Sequence, residues 1–175
     1  PLTGIMCAFI FAAQMINFPV AWGTSGHLLG GVLAAVFLGP WLSCLVISLV
    51  LIVQCFLFQD GGVAVLGANI LNMAVFGTGL GYIVFILGKK ILPGKGGYLA
   101  SIAIASWVSV MVGSSVCAFE LGFSGTYPTL LTLKAMLSVH AFIGIGEAVI
   151  TTFIVSTVLA IRSDLVMTFP VELKS

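Results

Sequence analysis

The chain has 175 residues, 61% of them hydrophobic and 6% charged, with a net charge of +1 and a mean hydropathy of +1.28. Such a composition excludes a soluble globular domain and defines an integral membrane protein, read as a single transmembrane domain over residues 1–175 with lipid as its main surroundings. Its few, mostly scattered basic residues exclude nucleic acid as a partner.

In chain order, apolar runs occupy residues 2–19, 28–38, 41–58, 63–88, 98–119 and 134–161, divided by Gly, Pro or charged residues. They predict an all-α, polytopic transmembrane helical bundle of six spans. The second run is short, but fusing it with the third across Gly39-Pro40 gives 31 residues, roughly 46 Å of helix and too long for an ordinary bilayer. A break at Gly39-Pro40 is therefore expected. The chain opens at Pro1 without a charged leader and reads as an N-terminally truncated fragment.

Lys89, Lys90 and Lys95 share one loop, and Arg162 and Lys174 follow the last run, which places both regions and Pro1 in the cytoplasm. Lys134 dissents. The stretches 20–27, 59–62 and 120–132 are then expected to face outward, His27 among them.

Polar residues within the spans concentrate toward that outer face. Gln14 and Asn17 close the first run, His27 opens the second, Gln54 lies late in the third, and Asn69 and Asn72 early in the fourth. His140 sits about two turns into the last run and Glu147 near its middle. Buried polar groups in a membrane face the bundle interior or a wet cavity, so their shared depth predicts an outward-opening pocket. Helix-to-helix hydrogen bonding by the same amides is the alternative. A neutral imidazole is a common transition-metal donor, which makes His27 and His140 candidate ligands. His140 and Glu147, seven apart on one helix face, would also suit a proton relay.

No HExxH, GxSxG or Walker sequence is present, and no enzyme chemistry is expected. Cys7, Cys44, Cys55 and Cys117 stand singly in apolar runs and read as packing residues. Gly77, Gly79 and Gly81, and Gly144 with Ala148, read as positions of close helix contact.

The segments FAAQMINFPV, GTSGHLLGG, LGPW, DGGVAVLGANILNM and HAFIGIGEAVIT, in this order over roughly residues 8–160, resemble the CbiM/NikM proteins. These are the metal-specificity (S) subunits of energy-coupling factor (ECF) transporters. The resemblance implies a membrane subunit that captures Co(II) or Ni(II), as transported substrate and not as cofactor, from the outer side of a prokaryotic cell membrane. It further implies a coupling transmembrane subunit and cytoplasmic ATPase subunits as partners, sometimes with a small accessory membrane subunit. Cobalt, serving cobalamin biosynthesis, is the first expectation and nickel the alternative. In this family the metal is held by the free amino terminus, the backbone nitrogen and imidazole of a histidine following the initiator methionine, and a second histidine in a Thr-Ser-Gly-His loop. That loop histidine maps onto His27. The Met-His-Ile segment and its following span are absent from this sequence, and adding them makes seven spans. Thr24, Ser25 and Gly26 are expected to shape the His27 loop, while Asn69, Asn72, His140 and Glu147 are expected in supporting or pocket-lining roles. The rival readings are a vitamin-binding S subunit and a proton-coupled carrier using His140 and Glu147.

Overall fold

A computed structural model describes residues 1–20 and 24–169. Gly23 and Lys174, invoked above, lie outside the described residues.

Among the described residues there are six helices and one short hairpin: α1 (Leu2–Gln14), β1 (Asn17–Pro19), β2 (Ser25–His27), α2 (Gly31–Leu38), α3 (Pro40–Phe58), α4 (Val63–Ile91), α5 (Gly94–Phe123) and α6 (Thr129–Ile161). The helices follow the six apolar runs. Four of them, α3 to α6, are long and apolar enough to cross a bilayer. With 13 and 8 residues, α1 and α2 reach only about 20 and 12 Å.

The first run does not stay helical to residue 19. After Gln14 the chain becomes extended, and Asn17, Phe18 and Pro19 pair antiparallel with His27, Gly26 and Ser25. Pro19 lacks the amide hydrogen that a continuing helix would require. His27 thus lies on a strand, and Asn17 is its cross-strand partner rather than a residue at the end of a span.

The expected break falls in place. Gly39 has φ +83°, a region that favours glycine, and Pro40 supplies the first residue of α3, where a missing amide hydrogen costs nothing. The last two helices run longer than their apolar runs, so Glu120 is helical, and the expected loop from 120 to 132 shrinks to residues 124–128. Charged residues in a terminal turn do not stop a helix whose remaining turns are packed.

In α4, residues Ile70–Gly77 form a π-helical stretch. Side-chain donors meet its carbonyls: Thr78 Oγ1 on Met73 O, Cys44 Sγ on Ala74 O and Ser109 Oγ on Gly77 O, at 2.8, 2.9 and 2.8 Å. These contacts fasten the widened turn to α3 and α5. Gly77 and Gly81 lie directly against Ser109, as their small size predicts, whereas Gly79 has open space where a Cβ would stand.

The core forms around α2. Its residues Gly31 to Phe37 are all buried, surrounded by α3, α4, α5 and α6. Apolar side chains such as Trp41, Phe142 and Phe153 instead point outward, as lipid-facing residues do. Gly30, which precedes α2, has φ +74°, and a Cβ there would stand 2.8 Å from Ile10 Cγ1. Gly30→Ala is therefore expected to destabilise the protein by about 1–3 kcal/mol. A thermal melt in detergent indistinguishable from the parent would contradict this.

Candidate functional site

One end of the bundle opens into a cavity of about 560 Å³. Its wall includes Thr24, Ser25, His27, Asn69, Asn72 and His140, six of the residues singled out in the sequence. Gln54, noted there as part of the polar belt, joins them.

Hydrogen bonds orient both imidazoles. His27 Nδ1 lies 2.9 Å from Leu28 O, and His140 Nδ1 lies 2.8 Å from Met136 O. A carbonyl only accepts, so Nδ1 carries the hydrogen in each ring, and in the neutral form the lone pair resides on Nε2. That arrangement prepares Nε2 as a donor to an electrophile, the second-nitrogen anchoring seen at metal-bound histidines. The two rings differ in access. His27 is partly exposed, while His140 is 7% exposed and packed under the hairpin.

Gly26 explains how the hairpin seats. A Cβ at this position would lie 2.5 Å from Ile143 Cδ1 and 3.1 Å from His140 Nε2. Only a bare backbone lets β2 rest on that face of α6. Thr24 closes the hairpin through its carbonyl, which accepts from Val20 N at 2.9 Å, and its hydroxyl donates to Met136 Sδ at 3.5 Å. Gly26→Val is expected to lift β2 from α6, and it should alter the hairpin with little effect on helix content. An unchanged exchange rate at the His27 amide would contradict that.

Glu147 lies beneath the loop and not in the cavity wall. It is 2% exposed, and its Oε2 and Oε1 accept from Leu29 N and Gly30 N at 2.8 and 2.7 Å. Gln14 Nε2 donates to Leu29 O at 2.8 Å from the other side. Two side chains from α1 and α6 therefore clasp the backbone immediately after His27. The amides they hold belong to the entry of α2, where unpaired N–H groups and the helix dipole favour a carboxylate. With an amide hydrogen on each oxygen, Glu147 serves as a clasp, and the proton-relay expectation for it has no support in this geometry.

Sequence reasoning overlooked Asp60, Cys117, Glu120 and Met136, all in the cavity wall. Glu120, expected in an outer loop, lies on α5, and its Oε2 accepts from Asn72 Nδ2 at 2.8 Å. The signal available was its position one residue beyond the last apolar run, where another helical turn would bring it level with Asn72. Asp60 and Glu120 give the cavity two carboxylates, and no lysine or arginine is among its described lining residues. The resulting field favours a cation. Gln54 Nε2 and Asn72 Oδ1 are buried without a hydrogen-bond partner beside this cavity. Among the described residues, no three His, Cys, Asp or Glu side chains are grouped so as to hold a metal ion.

The chain matches over residues 1–165 the family model CbiM, described as the cobalt uptake substrate-specific transmembrane region. A protein of Archaeoglobus fulgidus named as a fused nickel transport protein, NikMN, is 38% identical over 167 residues, 94% of this chain and 55% of that protein. The cobalt transport protein CbiM of Sorangium cellulosum is 29% identical over 170 residues, covering 94% of this chain and 75% of its own length. A solved structure titled as that of a transition metal transporter superposes with a TM-score of 0.88 at 31% identity, over 96% of this chain and 79% of that one. The chain thus spans about half the length of the fused nickel transport relative and three quarters of the CbiM protein.

Proposed function

Because the chain belongs to the CbiM family of cobalt uptake substrate-specific transmembrane proteins, we propose that it is the substrate-capturing membrane subunit of an ECF-type importer for Co(II) or Ni(II). The observation that carries this reading is the His27 imidazole, anchored through Nδ1 to Leu28 O and bordering, with Asp60 and Glu120, a cavity whose only charged lining groups are acidic among the described residues. His27 supplies one donor through Nε2. The remaining nitrogen donors come from an amino-terminal Met-His segment preceding Pro1, and four nitrogens around one ion suit Ni(II) and Co(II) better than tetrahedral Zn(II).

The relatives divide between the two ions, since the family is described by cobalt and the A. fulgidus protein by nickel. We therefore assign the ion class, and rank the pair by competition between them. Transport itself requires partners: a coupling transmembrane subunit and cytoplasmic ATPase subunits that hydrolyse ATP. The His27 end of the bundle faces outward and the Lys89 end faces the cytoplasm, in line with the lysines at the end of α4.

Calorimetry with Co(II) and Ni(II) on the complete protein with its native amino terminus tests the reading. Tight binding is expected, and failure to bind either ion would overturn it. Affinity should fall as pH is lowered, because bound imidazole and amine ligands must be deprotonated. Extending the amino terminus by one residue should be nearly as harmful as removing a ligand, since it displaces the donor amine; binding that tolerates the extension would rule out an amino-terminal donor.

A further inference from the structure

The α2 helix, buried from Gly31 to Phe37, is held at its start by α6 and at its end by the chain that follows α6. At its start, Glu147 of α6 accepts the Leu29 and Gly30 amides, two and three residues after His27. At its end, the chain beyond α6 turns back through a 3₁₀ turn at Ser163–Leu165 and reaches the last turn of α2. There Val36 O accepts from Thr168 N at 3.2 Å and from Thr168 Oγ1 at 2.9 Å. The last four carbonyls of a helix lack partners within it, and Val36 O is one of these.

The hydroxyls run in one direction. Thr168 Oγ1 gives its single hydrogen to Val36 O, so the 2.8 Å contact with Tyr98 is donated by the tyrosine. Tyr98 is fully packed: Phe169 meets it edge-on at 5.0 Å and Phe85 at 5.4 Å. Val166 is completely buried, and Met167 lies 3.3 Å from where a Gly39 Cβ would stand. Val166 and Phe169 therefore seat the strap in the core while Met167 stays exposed, and Thr168 lies 132 residues from Val36 in sequence.

We propose that Thr168 and Tyr98 are positioning residues for His27 that act through α2. This rests on the metal-capture reading. A helix of eight residues, about 12 Å long, is too short and too tightly enclosed to bend. Its height in the bundle follows from where its two ends are fastened. With the strap seated, α2 holds Leu29 and Gly30 against Glu147, and the His27 backbone is fixed. With the strap released, the apolar sides of α2 can slide, and the clasp at Glu147 no longer has a fixed counterpart. Affinity at one end of the protein is then set in part by a contact at the other.

Coupling of this kind is reciprocal: whatever factor the seated strap adds to metal affinity, bound metal must add to strap seating. The test uses the complete protein in detergent with Ni(II) and Co(II) as probes. Thr168→Val, which removes the hydroxyl at constant shape, and Tyr98→Phe are each expected to weaken metal binding by about fivefold or more. Arg162→Gln, which breaks only the exposed Arg162–Asp164 ion pair nearby, should leave affinity unchanged. In the wild type, hydrogen exchange at the Thr168 amide should slow on adding metal, and His27→Ala should abolish that slowing. The exchange measurement decides the matter if either variant fails to fold. Exchange at Thr168 that is indifferent to bound metal, or a folded Thr168→Val protein with wild-type affinity, overturns this inference alone. A wild type that binds neither ion overturns the metal-capture reading and this inference with it.

Discussion

Replacement of His27 by alanine in the complete protein is expected to abolish high-affinity Co(II) and Ni(II) binding while leaving the fold intact. Losing a partner behind a metal ligand already costs 10- to 100-fold in affinity, so losing the donor itself should cost at least about a hundredfold. The fold should survive because His27 is only partly buried and its one described side-chain hydrogen bond is to the neighbouring Leu28 O. The hairpin is held by backbone pairing and by Gly26 against α6, neither of which uses the imidazole. Calorimetry for affinity and a thermal melt for the fold separate the two effects. Retained tight binding in a folded His27→Ala protein would remove His27 from the site, and the vitamin-binding reading, which needs no histidine, would then gain.

The second large effect is expected at Glu147. Glu147→Ala strips the acceptors from the buried Leu29 amide, worth about 1–3 kcal/mol when left unsatisfied, and from the half-buried Gly30 amide, worth less, and opens a void as well. A loss of several kcal/mol is a large fraction of the stability of most proteins. Glu147→Gln keeps one acceptor oxygen but turns an amide group toward the other N–H, so its stability should fall between those of wild type and alanine. Because the freed backbone lies two residues from His27, both variants should also weaken metal binding. The proton-carrier reading predicts a different pattern: Glu147→Gln would stop transport with metal binding and stability unaltered. Thermal melts and metal titrations on the same preparations distinguish them.

Much of this protein is legible in its sequence. Hydropathy alone determines that it is a membrane protein and which stretches carry its helices, though not their ends, because twenty apolar residues in a row are stable in hydrocarbon only as hydrogen-bonded helix. The Gly39-Pro40 break follows from local backbone chemistry, with one residue suited to positive φ and the next unable to donate. The polar belt was legible too, since an amide or imidazole inside a span must find either water or a partner. Seven belt and loop residues, Gln54 among them, do line one cavity.

Other features were decided only by the tertiary structure. Hydropathy cannot distinguish an apolar run that faces lipid from one buried in protein, so although the second run is short, nothing marked α2 as a helix enclosed by its neighbours. Nor could it show that the first run leaves its helix at Gln14 to form a hairpin, because the pairing of Asn17 with His27 depends on a chain reversal between them. Glu147 is the clearest case. Its depth in a span marks it as functional, but the amides it holds lie 117 and 118 residues earlier, and a carboxylate poised for proton transfer has the same sequence as one clasping a helix entry. What separates the two is which donors the packed bundle brings within 3 Å, and that is set by the fold as a whole.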